Sequence, residues 1–204
     1  MSTDRKEVIV AVSGASGAVY SIRTLRALLV GGHHVHVVLS KYGRYLLREE
    51  ADFRSDKEEL LEFLERICGG EVREGTLEEH NVNDLTSKLA SGTARMDGMV
   101  VVPCAAKTLS GISVASSSNL IERAADCTLK ERRPLIVVVR ETPLNLIHLR
   151  NMVTIAEAGA VVLPAMPAFY QKPETFEDLG DFIAGRILSQ LGIDHELFPR
   201  WDGP

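Results

Sequence analysis

Ser13-Gly14-Ala15-Ser16-Gly17 closes a short run of β-branched residues and opens a helical pattern. Glycines let backbone approach an anion, and a helix start offers free N–H groups to it. The loop is not a full GxGxxG, so taken alone it is equally a tight turn with Ser16 as a helix cap. Ser40-Lys41 follows the second strand pattern, where a dinucleotide site places an acid for the ribose hydroxyls. A hydroxyl and a cation suit a terminal phosphate better. That favours a mononucleotide such as FMN over NAD. Pro103-Cys104-Ala105-Ala106-Lys107-Thr108 ends another strand and offers backbone donors, a hydroxyl and a helix start.

Charged residues cluster at a few other places. Arg123 sits on a helical pattern, where a lone Arg is usually solvated. Lys130 lies at the amino end of the following strand, the wrong edge for a site in its own chain, so it reaches a ligand only across an interface. Arg140 and Glu141 lie at the carboxyl edge. On the last helix Phe176, Leu179, Phe182, Ile183 and Ile187 trace an apolar stripe, and Arg186 borders it. That spacing puts Arg186 on or beside the inward face, where it needs a counter-charge: a core carboxylate or a ligand phosphate. Tyr170, after the last strand, could reach the same anion. Glu49 and Glu50 follow a short helical stretch; a carboxylate drawn into a cleft could move protons. The six histidines show no HExxH spacing and the three cysteines no CxxC, so neither a metal centre nor a disulfide framework is expected.

These residues must be held by alternating strands and helices. Strands are expected over 8–12, 35–39, 99–102, 135–139 and 160–163, and helices over 18–30, 57–67, 118–129, 144–158 and 175–191. Residues 71–96 are polar and resist assignment. Fully apolar short strands suit a parallel sheet buried on both faces, and the alternation predicts an α/β fold, a three-layer, doubly wound, mostly parallel sheet of Rossmann or flavodoxin type. In such sheets ligands bind outside the carboxyl ends of the strands.

The chain has 204 residues, 45% hydrophobic and 25% charged, with net charge −5. One domain over 1–204 is expected, residues 192–204 forming a tail that packs on a neighbouring subunit. The acidic balance argues against nucleic acid as a partner. No apolar run is long enough to span a bilayer, and the start lacks the apolar region of a signal peptide, so a cytoplasmic location is expected.

The loops above resemble, in order, those of the UbiX/Pad1 family of flavin prenyltransferases. The matching segments also include Ala90-Ser91-Gly92, Asn119 to Asp126, Lys130 to Leu135, Arg140-Glu141-Thr142-Pro143, Ile147 to Met152 and Pro164 to Tyr170. The resemblance spans nearly the whole chain; residues 51–88 match poorly. It implies an enzyme that joins a dimethylallyl group, from dimethylallyl phosphate or pyrophosphate, to N5 and C6 of reduced FMN without a metal. The prenylated FMN serves a UbiD-type decarboxylase. By the same resemblance Gly14, Ala15, Ser16, Ser40, Thr108 and Arg123 contact FMN, with Ala105 and Ala106 through backbone and Lys107 in a lesser role. Many members have Ser in place of Ala105. Ser16 and Glu50 manage protons near N5, and Glu141 is the acid beside the leaving phosphate. Lys130, Arg140, Arg186, Tyr170 and Ser91 form the phosphate site, and Trp201 walls the prenyl pocket. Family members commonly form homododecamers with sites at subunit interfaces.

Three rivals are an FMN-dependent cysteine decarboxylase of the same fold group, a non-catalytic FMN-binding subunit of a decarboxylase complex, and a NAD-dependent enzyme, which Ser40 in place of an acid disfavours. The first has little use for Lys130, Arg140 and Arg186 together; the second needs neither Glu50 nor Glu141.

Overall fold

A computed structural model describes residues 5–199 and Gly203. Apolar runs form the centre of the sheet: β1 (Glu7–Val12), β2 (His34–Leu39), β4 (Gly98–Cys104) and β5 (Leu135–Val139). Their side chains alternate between two buried faces, as β-branched strands in a parallel sheet require. A polar strand, β3 (Thr76–His80), and a short one, β6 (Val161–Val162), flank them. The order is β3-β2-β1-β4-β5-β6 and every pairing is parallel. This is the doubly wound order in which the chain reverses direction across the sheet between β1 and β4.

Helices cover both faces. On one side α1 (Ala18–Val30), α3 (Leu60–Cys68) and α7 (Phe176–Gln190) bury Leu25, Leu28, Phe63, Ile183 and Ile187 against Val8, Val10, Val35 and Val37. On the other side α4 (Ala106–Ser113), α5 (Leu120–Lys130) and α6 (Leu146–Glu157) bury Leu109, Leu120, Ala124 and Ile155 against Ile9, Ala11, Val101 and Val137. α2 (Lys41–Ala51) follows β2 at the carboxyl edge. No helix is long and apolar enough to cross a membrane among the described residues.

Three expectations change. Residues 71–96 contain the edge strand β3, whose charged side chains hide it from a hydrophobic pattern while protecting the edge from stray pairing. Phe176 is 77% exposed, and Arg186 is exposed rather than turned inward. The buried residues of α7 are Gly180, Ile183, Ala184, Gly185, Ile187 and Leu188, so half of that stripe is small residues. A Cβ at Gly180 would stand 2.6 Å from Arg23 Cγ, which shows how closely α1 and α7 approach. Arg23 locks that contact by a bidentate pair with Asp181, at 2.6 and 2.5 Å. Residues 195–198 return along α7 of the same chain: the Phe198 ring lies 4.9 Å from that of Phe182, and His195 Nε2 lies 3.0 Å from Ser189 Oγ.

Candidate active site

The switch point is framed by the loops after β1 and β4, and Ser13 ties them together. Its buried Oγ donates to the Pro103 carbonyl at 2.9 Å and accepts the Ala105 N–H at 2.7 Å, while its own N–H donates to Pro103 at 3.2 Å. The sequence placed Ser13 in the loop motif without a role; its bridging position follows from β1 and β4 being neighbours. The Ala105 N–H is therefore spent within the fold and is not a free backbone donor.

Three helices start at this edge. α2 is capped by Ser40, whose Oγ accepts the Gly43 N–H at 2.9 Å. A Cβ at Gly43 would collide with the Val12 carbonyl, so this position takes only glycine. α4 begins at Ala105 with no side-chain cap, which leaves its first-turn N–H groups to an outside acceptor. Thr108 is half-buried there and Lys107 is exposed. α1 starts after Gly17, at φ 114°, so Gly17 and not Ser16 is its cap residue. The capping group comes from α2: Glu50 Oε2 accepts the N–H of Gly17 and of Ala18, each at 2.8 Å.

Glu50 is thus a carboxylate fixed on a helix N-terminus. Partial burial raises its pKa, but the Ala18 and Gly17 amides, the Ser16 hydroxyl and the Arg140 charge outweigh that, and the net shift is downward. Arg140, immediately after β5, reaches across β4 to donate from Nε to the Ser16 carbonyl at 2.9 Å. The fold therefore brings Ser16, Glu50 and Arg140 together at the carboxyl edge. Gly14 is exposed beside them, where a Cβ would meet Tyr42 Cβ at 2.5 Å, and Ala15 is buried. Glu141 is half-buried next in sequence, with Oε1 accepting the Thr142 N–H at 3.1 Å.

The other candidates lie elsewhere in the same chain. Arg123 donates to the Ala90 carbonyl at 3.1 Å and pairs with Asp126 at 2.8 Å, turned to the crossover before β4. Ser91 lies in that crossover, bonded to Thr93 at 2.8 Å. Lys130 ends α5 at the amino edge and pairs with Glu131 at 2.6 Å. Tyr170 and Arg186 line one cavity of about 580 Å³ with Phe182 and Phe198. Lys130 belongs to the α5 face of the sheet and Arg186 to the α7 face. One chain does not gather these cations around one phosphate. Trp201 lies outside the described residues.

The Flavoprotein family profile matches residues 1–188. Over 192 residues the chain is 45% identical to the flavin prenyltransferase UbiX of Halalkalibacterium halodurans, covering 94% of this chain and 91% of the relative. The chain belongs to the UbiX flavin prenyltransferase family. Among solved structures it resembles the UbiX-family protein AnUbiX (PadA1), solved in complex with FMN and dimethylallyl pyrophosphate. The TM-score is 0.86 at 40% identity, over 98% of this chain and 99% of that one. It also resembles a dodecameric FMN-dependent UbiX-like decarboxylase from Escherichia coli O157:H7, with a TM-score of 0.84 at 35% identity over 97% and 100%.

The edge residues fit the flavin expected of a UbiX-family chain. The uncapped start of α4 supplies donors for a phosphate beside the Ser13 bridge, and the residue after β2 is Ser40 rather than a ribose-binding acid.

Proposed function

We propose that the chain joins a dimethylallyl group, from dimethylallyl phosphate or pyrophosphate, to N5 and C6 of reduced FMN. The observation that carries this reading is the Glu50 carboxylate, seated on α1 beside Ser16 and Arg140 at the switch point. Bound reduced FMN supplies the two nucleophilic positions that accept the prenyl group. Gly14, Ala15, Ser16, Ser40, Ala106, Lys107 and Thr108 hold it, with Ala105 contributing its methyl group and Arg123 arriving from a neighbouring copy. Glu50, kept ionised by the α1 amides, takes a proton near N5, and the Ser16 hydroxyl lies on that path. Glu141 protonates the departing phosphate. Arg140, Lys130, Arg186, Tyr170 and Ser91 stabilise the charge on that phosphate, the task a metal performs in other prenyl transfers. Trp201 walls the prenyl pocket.

Because Lys130 and Arg186 lie on opposite faces of one sheet, the phosphate site is completed by neighbouring copies. A homododecamer is the assembly that supports this, and the exposed Leu146, Ile147, Val153, Met166 and Phe169 supply apolar surface for it. One domain over 1–204 is the repeating unit, its last residues meeting a neighbour. The product passes to a UbiD-type decarboxylase. Cys68, Cys104 and Cys127 are free thiols, in keeping with a cytoplasmic setting.

Anaerobic incubation with reduced FMN and each prenyl donor, followed by mass spectrometry of the released flavin, tests the reading. A mass gain of one dimethylallyl unit is expected. Unmodified FMN with both donors overturns it, and carbon dioxide release from an added carboxylate without flavin modification would favour a decarboxylase instead.

A further inference from the structure

A second cluster of functional side chains lies on β2 and the edge strand β3. In parallel strands, residues in register share a face. The pairings Glu7↔His34, His36↔Glu78 and Val38↔His80 therefore line up Glu7, His34, His36, Glu78 and His80 on the α5 side. His36 is fully buried there and the His80 side chain is 10% exposed. His36 Nδ1 lies 3.1 Å from His80 Nε2 and 3.3 Å from Glu78 Oε2, and His80 Nε2 lies 3.5 Å from Glu78 Oε1.

We propose that His36, His80 and Glu78 bind a zinc-type divalent ion that clips the edge strand β3 to β2. A tetrahedral ion with bonds of 2.0–2.1 Å sets its ligand atoms about 3.3 Å apart. The two imidazole nitrogens, at 3.1 Å, fall close to that length, and each faces a different oxygen of the Glu78 carboxylate. One ligand atom from each of the three residues lies within 4.8 Å of the others. Two imidazoles and a carboxylate are zinc-type donors, whereas magnesium and calcium take oxygen ligands. The remaining imidazole nitrogens are also held, as metal-binding histidines require. His36 Nε2 faces Glu7 Oε2 at 3.5 Å, and His80 Nδ1 faces Ser87 Oγ at 3.2 Å. Both contacts leave Nδ1 of His36 and Nε2 of His80 as the nitrogens turned toward Glu78. His34, with Nε2 at 3.8 Å from Glu78 Oε2, or a water completes the coordination. Lys88 Nζ pairs with Glu78 Oε2 at 2.9 Å and is the cation that the metal displaces.

The site serves the sheet rather than prenyl transfer. The cluster lies on β2 and the edge strand β3, to one side of the β1–β4 switch point.

The test uses the full chain after dialysis against a chelator, titrated with zinc by calorimetry and with cobalt(II) by visible absorption. One ion per chain and the strong visible bands of tetrahedral cobalt(II) are expected. His80→Ala and Glu78→Gln should each weaken zinc binding about 100-fold, and Glu7→Gln by about 10-fold. Lys88→Met, which removes the competing cation, should tighten it a few-fold. Circular dichroism reports whether each variant is folded, and Glu78→Gln together with Lys88→Met keeps the test valid if His80→Ala is not. Less than about one-tenth of an ion per chain, or unchanged affinity in a folded His80→Ala or Glu78→Gln protein, overturns the proposal.

Discussion

Glu50 Oε2 lies 2.8 Å from the amide nitrogen of Ala18, so the last turn of α2 supplies the anion at the head of α1. The same oxygen holds the Gly17 N–H. A helix N-terminus carries partial positive charge, and a carboxylate there is stabilised in its ionised form. The contact positions the β1–α1 loop and favours the ionised form of Glu50.

Glu50→Gln should therefore separate binding from chemistry. The amide oxygen still caps α1, so the FMN dissociation constant should change less than about threefold. Product formation should slow about 100-fold, the usual size of a lost acid–base group. Fluorescence titration with FMN and single-turnover mass spectrometry measure the two. Equal rates in both proteins would remove Glu50 from the proton path.

The same residue gives a pH dependence of stability. Its folded-state pKa lies below the ordinary value, mainly because the α1 amides outweigh the opposing effect of burial. The ionised form is thus favoured by folding, and the stabilisation is complete above the ordinary carboxylate value of about 4.3. It drains away as pH falls through the lowered folded value. The Tm of wild type should exceed that of Glu50→Gln at neutral pH, and the gap should close on acidification. A gap that is constant with pH contradicts the assignment.

Ser13→Ala tests the bridge between the two loops. The variant strands the Ala105 N–H at a part-buried position beside the switch point. Leaving such a donor unpaired costs about 1–3 kcal/mol. Urea unfolding should show that loss, with weaker FMN binding because the loop after β4 is no longer tied to the loop after β1. Unchanged stability and unchanged FMN affinity would mean that water replaces the hydroxyl.

Arg186→Ala addresses the phosphate. Arg186 is exposed on α7, so the change should leave stability within about 0.5 kcal/mol. The KM for the prenyl donor should rise at least 10-fold while FMN affinity stays near wild type. A parallel fall in FMN affinity would make Arg186 a flavin contact instead.

Lys130→Ala and Arg186→Ala should each turn over slowly at a donor concentration near the wild-type KM, but recover activity when co-assembled from mixed chains. Lys130 and Arg186 lie on opposite faces of one chain's sheet, so a site holding both draws them from different copies. Mixed assemblies contain some sites in which both residues are intact. No recovery after mixing and reassembly would show that each site is complete within one chain.

Much of this arrangement was legible before any coordinates. The runs Val8–Val12 and Leu135–Val139 carry their strand character in β-branched side chains, and Gly31-Gly32 ends α1 where the helical pattern stops. From alternation alone the doubly wound sheet follows, and from it the carboxyl edge where Ser16, Ser40, Thr108 and Arg140 stand. The family resemblance implied the reaction, and with it the roles proposed above for Glu50, Glu141 and the cationic residues.

Local sequence determines which segments become strands and helices, because propensity and hydrophobic period act between residues close in the chain. Which strands become neighbours is decided by non-local packing, and four features depended on it. β3 was hidden because an edge strand has no need of apolar residues. Ser13 became a bridge only when β1 lay beside β4. Arg186 faces outward because α7 packs through Gly180 and Ala184, which a search for large apolar residues overlooks. His36, Glu78 and His80 meet only because β2 and β3 pair in parallel register, which brings together residues more than 40 positions apart.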